Sequence, residues 1–331
     1  MPGRFSRPLA TASIVATLGL ALTGCGPNAA SSNDSAASYP TKPITFIVPY
    51  AAGGPTDVTA RALAPCLSNQ LGKPVVAENA AGGSGAVGLQ KMIGKEADGH
   101  TLALITTGTV ALTPLANSLD YSKDDVTPIG VVSRVPFNLV VGKDSPYNTA
   151  EEFFAAAKDS PGTLNVGVSG ASTPQAIELQ RLRDQYDVDL SVVPFDGSAG
   201  ATTALLGGHS HAALLNDAPE ISERIEDGSF RVLATTGEER QAHIPDTPTL
   251  AELGYEDLTL AVTTYGLAGP AGLPTEVVEA VGGALEECLQ DPRTIEAIGK
   301  RFIPEQYGNS QDLQRYIDEG AHTYEAILGK S

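Results

Sequence analysis

Short apolar runs rich in β-branched residues alternate along this chain with stretches that place apolar residues every three or four positions. The first run, Ile44 to Val48, leads through Pro49-Tyr50-Ala51-Ala52-Gly53-Gly54 into a helical pattern that ends at Leu71. Two glycines permit a tight turn, and Pro55 favours the backbone angles of a first helical turn. This order predicts a strand, a bare loop and a helix N-terminus whose free N–H groups favour an anion.

The same order of strand, polar loop and helix recurs down the chain. Later strands are predicted at 75–77, 101–105, 131–141, 164–168, 190–193, 212–215, 232–235 and 258–267. Pro65 is expected to kink the first helix or split off its first turn, and Thr149 with Glu152 has the spacing of a capping box. The pattern predicts two α/β domains with mostly parallel strands and a cleft between them, with ligand loops at the carboxyl ends of the strands.

Small polar residues at these strand ends form the candidate ligand site. They occupy 53–54, 106–107, 169–173, 197–198 and 216–217. Hydroxyls, amides and backbone N–H groups suit hydrogen bonds to carboxylate oxygens without a full countercharge. Arg61 and Arg134 are the nearest cations, and we expect both to be solvated surface charges.

The composition limits the partners. With 331 residues, of which 42% are hydrophobic, the chain can bury one large core or two modest ones. Its formal net charge of -18 repels nucleic acid and anionic lipid, so neither is expected as a partner. An anionic ligand must therefore be held by local donors.

The N-terminus predicts export. Two arginines precede an apolar run from Leu9 to Leu22, which has the features of a secretory signal and is too short to span a membrane. Leu22-Thr23-Gly24-Cys25 resembles a bacterial lipobox, in which Cys25 would become the lipid-modified first residue; the alternative is ordinary signal cleavage beside an incidental cysteine. We expect a signal peptide at 1–24 and a flexible tether at 25–38.

Two further cysteines, Cys66 and Cys288, follow the tether. Outside the cytoplasm such a pair can form a disulfide, and the sequence leaves this open against two free thiols. Two isolated cysteines do not indicate a metal site.

The chain matches the sequence motifs of cofactor-binding, metal-binding and catalytic sites less well. The glycines of 83–88 fit a dinucleotide fingerprint but lack the acidic residue that follows it, so we expect a tight turn and no cofactor. His209 and His211 have no third ligand nearby, so no metal is expected. The segment 167–171 misses the nucleophile elbow by its last glycine, and no spacing selects a histidine partner for Ser169, so we do not expect an enzyme.

Ordered motifs from Tyr39 to near the end of the chain resemble one family. They are Tyr39-Pro40-x-Lys42-Pro43-Ile44, Val48-Pro49-Tyr50 through Gly53-Gly54-x-Thr56-Asp57, Leu71-Gly72-Lys73-Pro74-Val75-Val76-x-Glu78-Asn79, Asp98-Gly99-x-Thr101-Leu102, Leu205-Leu206-Gly207-Gly208, Pro245-x-x-Pro248-Thr249-x-x-Glu252-x-Gly254 and Tyr265-Gly266-Leu267. The family is the tripartite tricarboxylate transporter substrate-binding proteins, also called Bug proteins. The resemblance implies a periplasmic-binding-protein-like (Venus flytrap) α/β fold, in which two domains are hinged around a carboxylate-binding cleft.

The resemblance also implies an organisation and a role. Domain 1 would comprise 39–138 and 263–331, and domain 2 would comprise 139–262, with hinge crossings near 134–141 and 258–265. Both Cys66 and Cys288 then lie in domain 1, so that a disulfide would leave the hinge free. The protein would be a monomeric, lipid-anchored extracytoplasmic receptor that delivers a small carboxylate to a membrane permease, without a cofactor.

The ligand-binding residues carried over by position are neutral apart from one residue in each domain. They are Tyr50, Ala51, Ala52, Gly53, Gly54, Thr56, Asp57, Thr106, Thr107, Thr109, Ser169, Ser172, Thr173, Gln175, Phe195, Gly197, Ser198, Asn216 and Asp217. We expect the carboxylate of Asp57 to brace the loop or the helix start instead of touching the ligand's carboxylate.

Two departures from the family bear on the ligand. Phe195-Asp196-Gly197-Ser198 stands where members often have Tyr-Lys-Gly-Ser, and Asn216-Asp217-Ala218-Pro219 stands where they often have Asp-Asn-Leu-Pro. The lost cation and shifted acid count against a simple polyanion and favour a monocarboxylate or a ligand with its own amino group. Alternatives for the whole protein are a sensory binding module that feeds a signalling partner and, less favoured, an extracytoplasmic hydrolase.

Overall fold

The computed structural model describes residues 39–256, 258 and 262–329. The predicted signal peptide, Cys25 and the tether lie outside these residues, as do 257 and, within the second predicted hinge crossing, 259–261. None of the helices in the described part of the chain is both long and apolar enough to cross a membrane.

Nine strands and ten α-helices make up the described fold, with nearly every element close to its predicted place. The strands are β1 (Ile44–Val48), β2 (Val75–Asn79), β3 (Thr101–Thr106), β4 (Val126–Gly142), β5 (Asn165–Val168), β6 (Ser191–Pro194), β7 (Ala212–Asn216), β8 (Phe230–Thr235) and β9 (Val262–Pro270). The helices are α1 (Pro55–Leu71), α2 (Ala86–Ile93), α3 (Thr113–Asn117), α4 (Ala150–Asp159), α5 (Pro174–Tyr186), α6 (Ser198–Leu206), α7 (Pro219–Glu226), α8 (Thr275–Gln290), α9 (Pro292–Ile298) and α10 (Ser310–Leu328).

The strands form one continuous mixed sheet. Its order is β2-β1-β3-β9-β4-β7-β5-β6, and β8 also pairs with β4. The outer strands pair in parallel through helical crossovers, whereas β4 and β9 run antiparallel to every strand they pair with. The expectation of mostly parallel strands therefore fails at the centre of the sheet, where the two long strands lie side by side.

Strand β4 changes partners at Pro136. Its residues up to Pro136 pair with β9, and from Phe137 onward it pairs with β7 and β8. Proline lacks the N–H that a central ladder needs, and it is tolerated where pairing switches. The apolar run expected at 131–141 therefore lies within one 17-residue strand that is continuous through Pro136.

Separate hydrophobic clusters lie on either side of this switch. One gathers around Phe46, Leu63 and Leu285, between the sheet and helices α1 and α8. Another gathers around Phe153 and Leu214 and packs the strands β5 and β7 against α4 and α5. The two-domain division stays a prediction, and these clusters are the cores that it would require.

Two local sequence signals, the proline at Pro65 in α1 and the capping-box spacing before α4, can be compared with the structure. Helix α1 runs unbroken through Pro65, so the expected split does not occur. The proline is exposed, so the carbonyl that loses its helical partner can bond to water. At α4 the Thr149 hydroxyl accepts the Glu152 N–H at 3.2 Å, but the Glu152 carboxylate accepts from Asn148, one residue earlier than in a capping box.

A disulfide joins Cys66 in α1 to Cys288 in α8, with the two Cα atoms 5.7 Å apart. Both helices pack in the cluster around Phe46. The bond closes a loop of 222 residues between neighbouring helices and leaves the partner switch of β4 unconstrained.

Replacing either cysteine by alanine should lower the free energy of unfolding by about 3–5 kcal/mol, because the unfolded chain regains the entropy of a long loop. Urea unfolding of C66A, C288A and the double variant measures this. The three should be equally destabilised, and two free thiols at these positions in the unreduced wild-type protein would contradict the bond.

Candidate functional site

Three helix N-termini converge on one cavity. Helix α1 begins there after β1, α5 after β5 and α6 after β6, as the strand–loop–helix pattern predicts. No side chain of the described structure caps any of the three, at Gly54, Thr173 or Gly197. Their first N–H groups therefore remain available to an anion, and the helix dipoles favour it.

The space between these loops measures about 390 Å³ when the open solvent at its edge is included. It is lined by Tyr50, Ala51, Gly54, Pro55, Thr56, Thr106, Ser169, Thr173, Pro174, Gln175, Ser198, Asn216, Thr263 and Tyr265. Not one of these side chains is charged at neutral pH, so the negative charge of a bound anion would be balanced by dipoles and hydrogen bonds alone.

A chain of amides and hydroxyls crosses the floor of the cavity. The Gln175 side-chain amide donates to Ser169 Oγ at 3.0 Å and to Asn216 Oδ1 at 3.4 Å. The Asn216 amide in turn donates to Thr263 Oγ1 at 3.0 Å. These residues lie just after β5, in α5, at the end of β7 and in β9, so the network fixes both sides of the cavity relative to each other.

The Tyr50 hydroxyl is held beneath the first loop. It lies 3.1 Å from Thr109 Oγ1, which is 2.8 Å from Thr106 Oγ1. Burial raises the pKa of Tyr50, and hydrogen bonds to the two threonines lower it in part, so the phenol stays neutral. Thr109 lies in a π-helical turn, Gly108–Leu112, where we had expected a loop.

Hydrogen bonds also close the mouth of the cavity. The Ala51 N–H donates to Asp196 O at 3.0 Å, and the Ser172 N–H donates to Ser84 Oγ at 3.0 Å. The Ser172 hydroxyl donates to Asn117 at 3.0 Å. The loops after β1 and β2 are therefore tied to the loops after β5 and β6.

The carboxylate of Asp57 braces the first loop, as expected. Its Oδ2 accepts the Gly53 N–H at 2.9 Å, and its Oδ1 accepts bonds from Arg61 and Asn79, both at 2.9 Å. Gly53 has a φ of 85°, a left-handed conformation that favours glycine. Burial raises the pKa of Asp57, but the bonds from Arg61, Gly53 and Asn79 outweigh it and hold the pKa below its ordinary value.

The structure brings about half of the predicted site residues to the cavity. These are Tyr50, Ala51, Gly54, Thr56, Thr106, Ser169, Thr173, Gln175, Ser198 and Asn216. The lining does not include Ala52, Gly53, Asp57, Thr107, Thr109, Ser172, Phe195, Gly197 and Asp217. Several of these, such as Asp57, Thr109 and Ser172, support the lining residues from behind.

Sequence reasoning missed Pro55, Pro174, Thr263 and Tyr265 as lining residues. Thr263 and Tyr265 alternate along β9, so both point to the same face of the sheet. The alternation of Thr263 and Tyr265 on one face of β9 was the available signal. Burial raises the pKa of Tyr265, so it faces the cavity as a neutral phenol.

Asp196 and Asp217, the two acids in the segments that depart from the family pattern, do not line the cavity. Asp196 is exposed and contributes its backbone carbonyl, while Asp217 lies behind Asn216 with its side chain 1% exposed. The cavity therefore offers no carboxylate for a ligand's amino group, which removes the structural reason to expect one.

The remaining candidates have other partners. Arg61 donates to Asp57 and Asn79 and is more than a free surface charge, and Arg134 is exposed and stacks over the ring of Tyr316 at 4.5 Å. Ser169 accepts from Gln175, and the cavity lining holds no histidine. In the described residues, no group of three His, Cys, Asp or Glu side chains is placed to hold a metal ion.

Comparison with known proteins adds independent information. The family model described as "Tripartite tricarboxylate transporter family receptor" matches residues 59–331. A "UPF0065 protein in gbd 5'region" from Cupriavidus necator is 33% identical over 293 residues, covering 88% of each chain.

Solved structures share the fold. MatC from Rhodopseudomonas palustris with bound malate is 26% identical, with a TM-score of 0.81 over 88% of this chain and 100% of its own. A second R. palustris protein, with adipate, is 28% identical, with a TM-score of 0.79 over 88% of this chain and 98% of its own. The described fold is thus that of periplasmic solute-binding proteins.

Replacing Asp57 by Asn should destabilise the protein by about 1–3 kcal/mol near pH 7, because the ion pair with Arg61 is lost and the bonds from Gly53 and Asn79 weaken. The folded-state pKa is depressed, so the ionised brace contributes fully above the unfolded pKa and is lost as pH falls through the folded pKa. Urea unfolding should show the difference from wild type shrinking below about pH 4. Asp124→Asn, at an exposed aspartate, is the matched control, and a difference that grows towards low pH would contradict this role.

Proposed function

Because the chain belongs to the tripartite tricarboxylate transporter receptor family, we propose that it is an extracytoplasmic receptor that captures a small carboxylate and presents it to a membrane permease. The family match supports the receptor role and a place outside the cytoplasm. The class of ligand, the closure of the two domains and the lipid anchor are argued next from this chain's own residues.

One observation carries the ligand class. Three uncapped helix N-termini meet in a cavity lined only by neutral side chains. Orphan N–H groups with helix dipoles behind them suit carboxylate oxygens, whereas a cationic ligand would find no countercharge there. The malate and adipate bound by the two R. palustris proteins are small carboxylates of this kind.

Domain closure is the proposed mechanism. One lobe would comprise 39–138 and 263–331, and the other would comprise 139–262. The two lobes would pivot at the partner switch of β4 and at the crossing before β9. A carboxylate would dock on the N-terminus of α1, and α5 and α6 would then swing onto it. The bonds of Ala51 to Asp196 and of Ser172 to Ser84 are those that closure would form. The closed surface would be recognised by the permease.

Titration calorimetry with malate, adipate, benzoate, aspartate and citrate tests the ligand class. We expect a short monocarboxylate or dicarboxylate to bind and citrate to bind weakly, because three charges exceed what neutral donors in a small cavity can balance. Gln175→Ala should lower the affinity for the bound acid about tenfold, because Ser169 and Asn216 lose the amide that holds them in place on the cavity floor. Gln290→Ala, at an exposed glutamine, should not change affinity. Tight citrate binding, or no binding of any acid, would contradict the proposal.

Cys25→Ser tests the anchor. If Cys25 carries the lipid, the wild-type protein should sediment with membranes and the variant should appear in the soluble extracytoplasmic fraction, because diacyl anchoring is lost. Mass spectrometry of the mature N-terminus should show an acylated Cys25. An unmodified N-terminus at another residue would indicate ordinary signal cleavage.

A further inference from the structure

A contact behind the ligand cavity joins the two proposed lobes. Arg301 follows α9, and its neighbour Phe302 packs in the hydrophobic cluster around Phe46. Its guanidinium reaches Asp217, which follows β7, and Ser222, which lies in α7. Asp217 and Ser222 both belong to the other proposed lobe, so the contact would form only when the lobes are closed.

Asp217 is a buried carboxylate with few partners. Its side chain is 1% exposed, with Oδ2 lying 3.8 Å from Arg301 Nε and 3.2 Å from His243 Nε2. Its Oδ1 accepts from Ser222 Oγ at 3.4 Å, and Oδ2 accepts no hydrogen bond of good geometry. A buried charge depends strongly on its few countercharges, so each matters to the arrangement that buries it.

Arg301 is placed to leave that carboxylate without unfolding. Its side chain is 41% exposed, and its guanidinium stacks over the Phe302 ring at 4.6 Å. Together with Arg134, Gln241 and His243 it borders an open bowl against Pro136, where β4 changes partners. The contact therefore sits beside the proposed pivot.

The chain connects this contact directly to the ligand cavity. Asn216, whose amide bonds Gln175 and Thr263 on the cavity floor, immediately precedes Asp217. The Asp217 N–H donates to Pro136 O at 2.8 Å. Because the two residues are adjacent, a shift of Asp217, on the side of the strand end away from the cavity, must also move Asn216 on the cavity side.

We propose that Arg301 is a positioning residue for ligand binding: through Asp217 and Ser222 it latches the two lobes closed and holds Asn216 in place. This rests on the two-lobe closure proposed above. Opening hydrates the Asp217 carboxylate, whereas closure buries it, so Arg301 stabilises the closed form selectively. Without Arg301 the open form gains population, and apparent affinity falls with the fraction that is closed.

Amide exchange of the ligand-free protein tests the latch without any assumption about the ligand. The Ala51 and Ser172 amides are protected by bonds between the proposed lobes, whereas the Ile44 amide bonds to Pro74 within one lobe. In Arg301→Gln, NMR should show Ala51 and Ser172 exchanging about tenfold faster, with Ile44 unchanged. Arg315→Gln removes an arginine whose partners Asp312 and Glu319 share its own helix, and it should leave all three amides unchanged.

A second variant separates the charge from simple packing. Asp217→Asn added to Arg301→Gln removes the buried carboxylate that has lost its arginine, so exchange at Ala51 and Ser172 should return towards the wild-type rate. Unchanged exchange in Arg301→Gln would overturn the proposal, and so would faster exchange that the second substitution does not rescue, since Arg301 would then act by packing alone.

Calorimetry with malate and adipate adds the link to binding. For whichever acid the wild-type protein binds, affinity should fall about three- to tenfold in Arg301→Gln and recover in the double variant. Unchanged affinity beside faster exchange would overturn the role in ligand binding. If the wild-type protein binds neither acid, it is the choice of ligand that fails, and the exchange result still decides whether the latch exists.

Discussion

The proposed site depends on one constraint: a bound anion would have to be held, inside a protein of net charge -18, by groups that carry no full charge. Dipoles of helix N-termini are short-ranged, and their effect fades within the first turn. These dipoles can stabilise one bound anion together only if α1, α5 and α6 direct their first turns at the same point. The sheet supplies that geometry, since the strands that precede these helices end at the edge where the cavity lies.

The loop after β1 shows how charge is used when it cannot face the ligand. Asp57 is nearly buried beside the cavity, yet its oxygens are occupied by Gly53, Arg61 and Asn79. The acid thus fixes the backbone that presents the N–H groups, and Arg61 offsets its charge locally. Preorganisation of neutral donors comes from a charged group kept out of the ligand's reach.

The sequence predicted the elements well because each is encoded locally. The run before Pro49, the glycines at Gly53 and Gly54, and the repeated strand–loop–helix order were sufficient to place β1, α1 and most of the lining loops. Thr263 and Tyr265 were missed because they enter from β9, across the sheet, and pairing between distant strands leaves no local mark. The change of pairing partner at Pro136 was not predicted, because it cannot be seen in one strand's own residues.

The two adjacent residues at the end of β7 show where motif reasoning stops. A shifted acid at Asn216-Asp217 indicated altered ligand chemistry, on the assumption that both side chains face the cleft. Successive residues of a strand end face opposite sides, so Asn216 enters the cavity floor and Asp217 points back towards Arg301 and His243. An acid at Asp217 and an amide at Asn216 thus keep the charge off the cavity floor and place it beside Arg301 and His243. The cavity is neutral at this strand end because its acid is the residue behind the lining, where a buried carboxylate depends on the few groups around it.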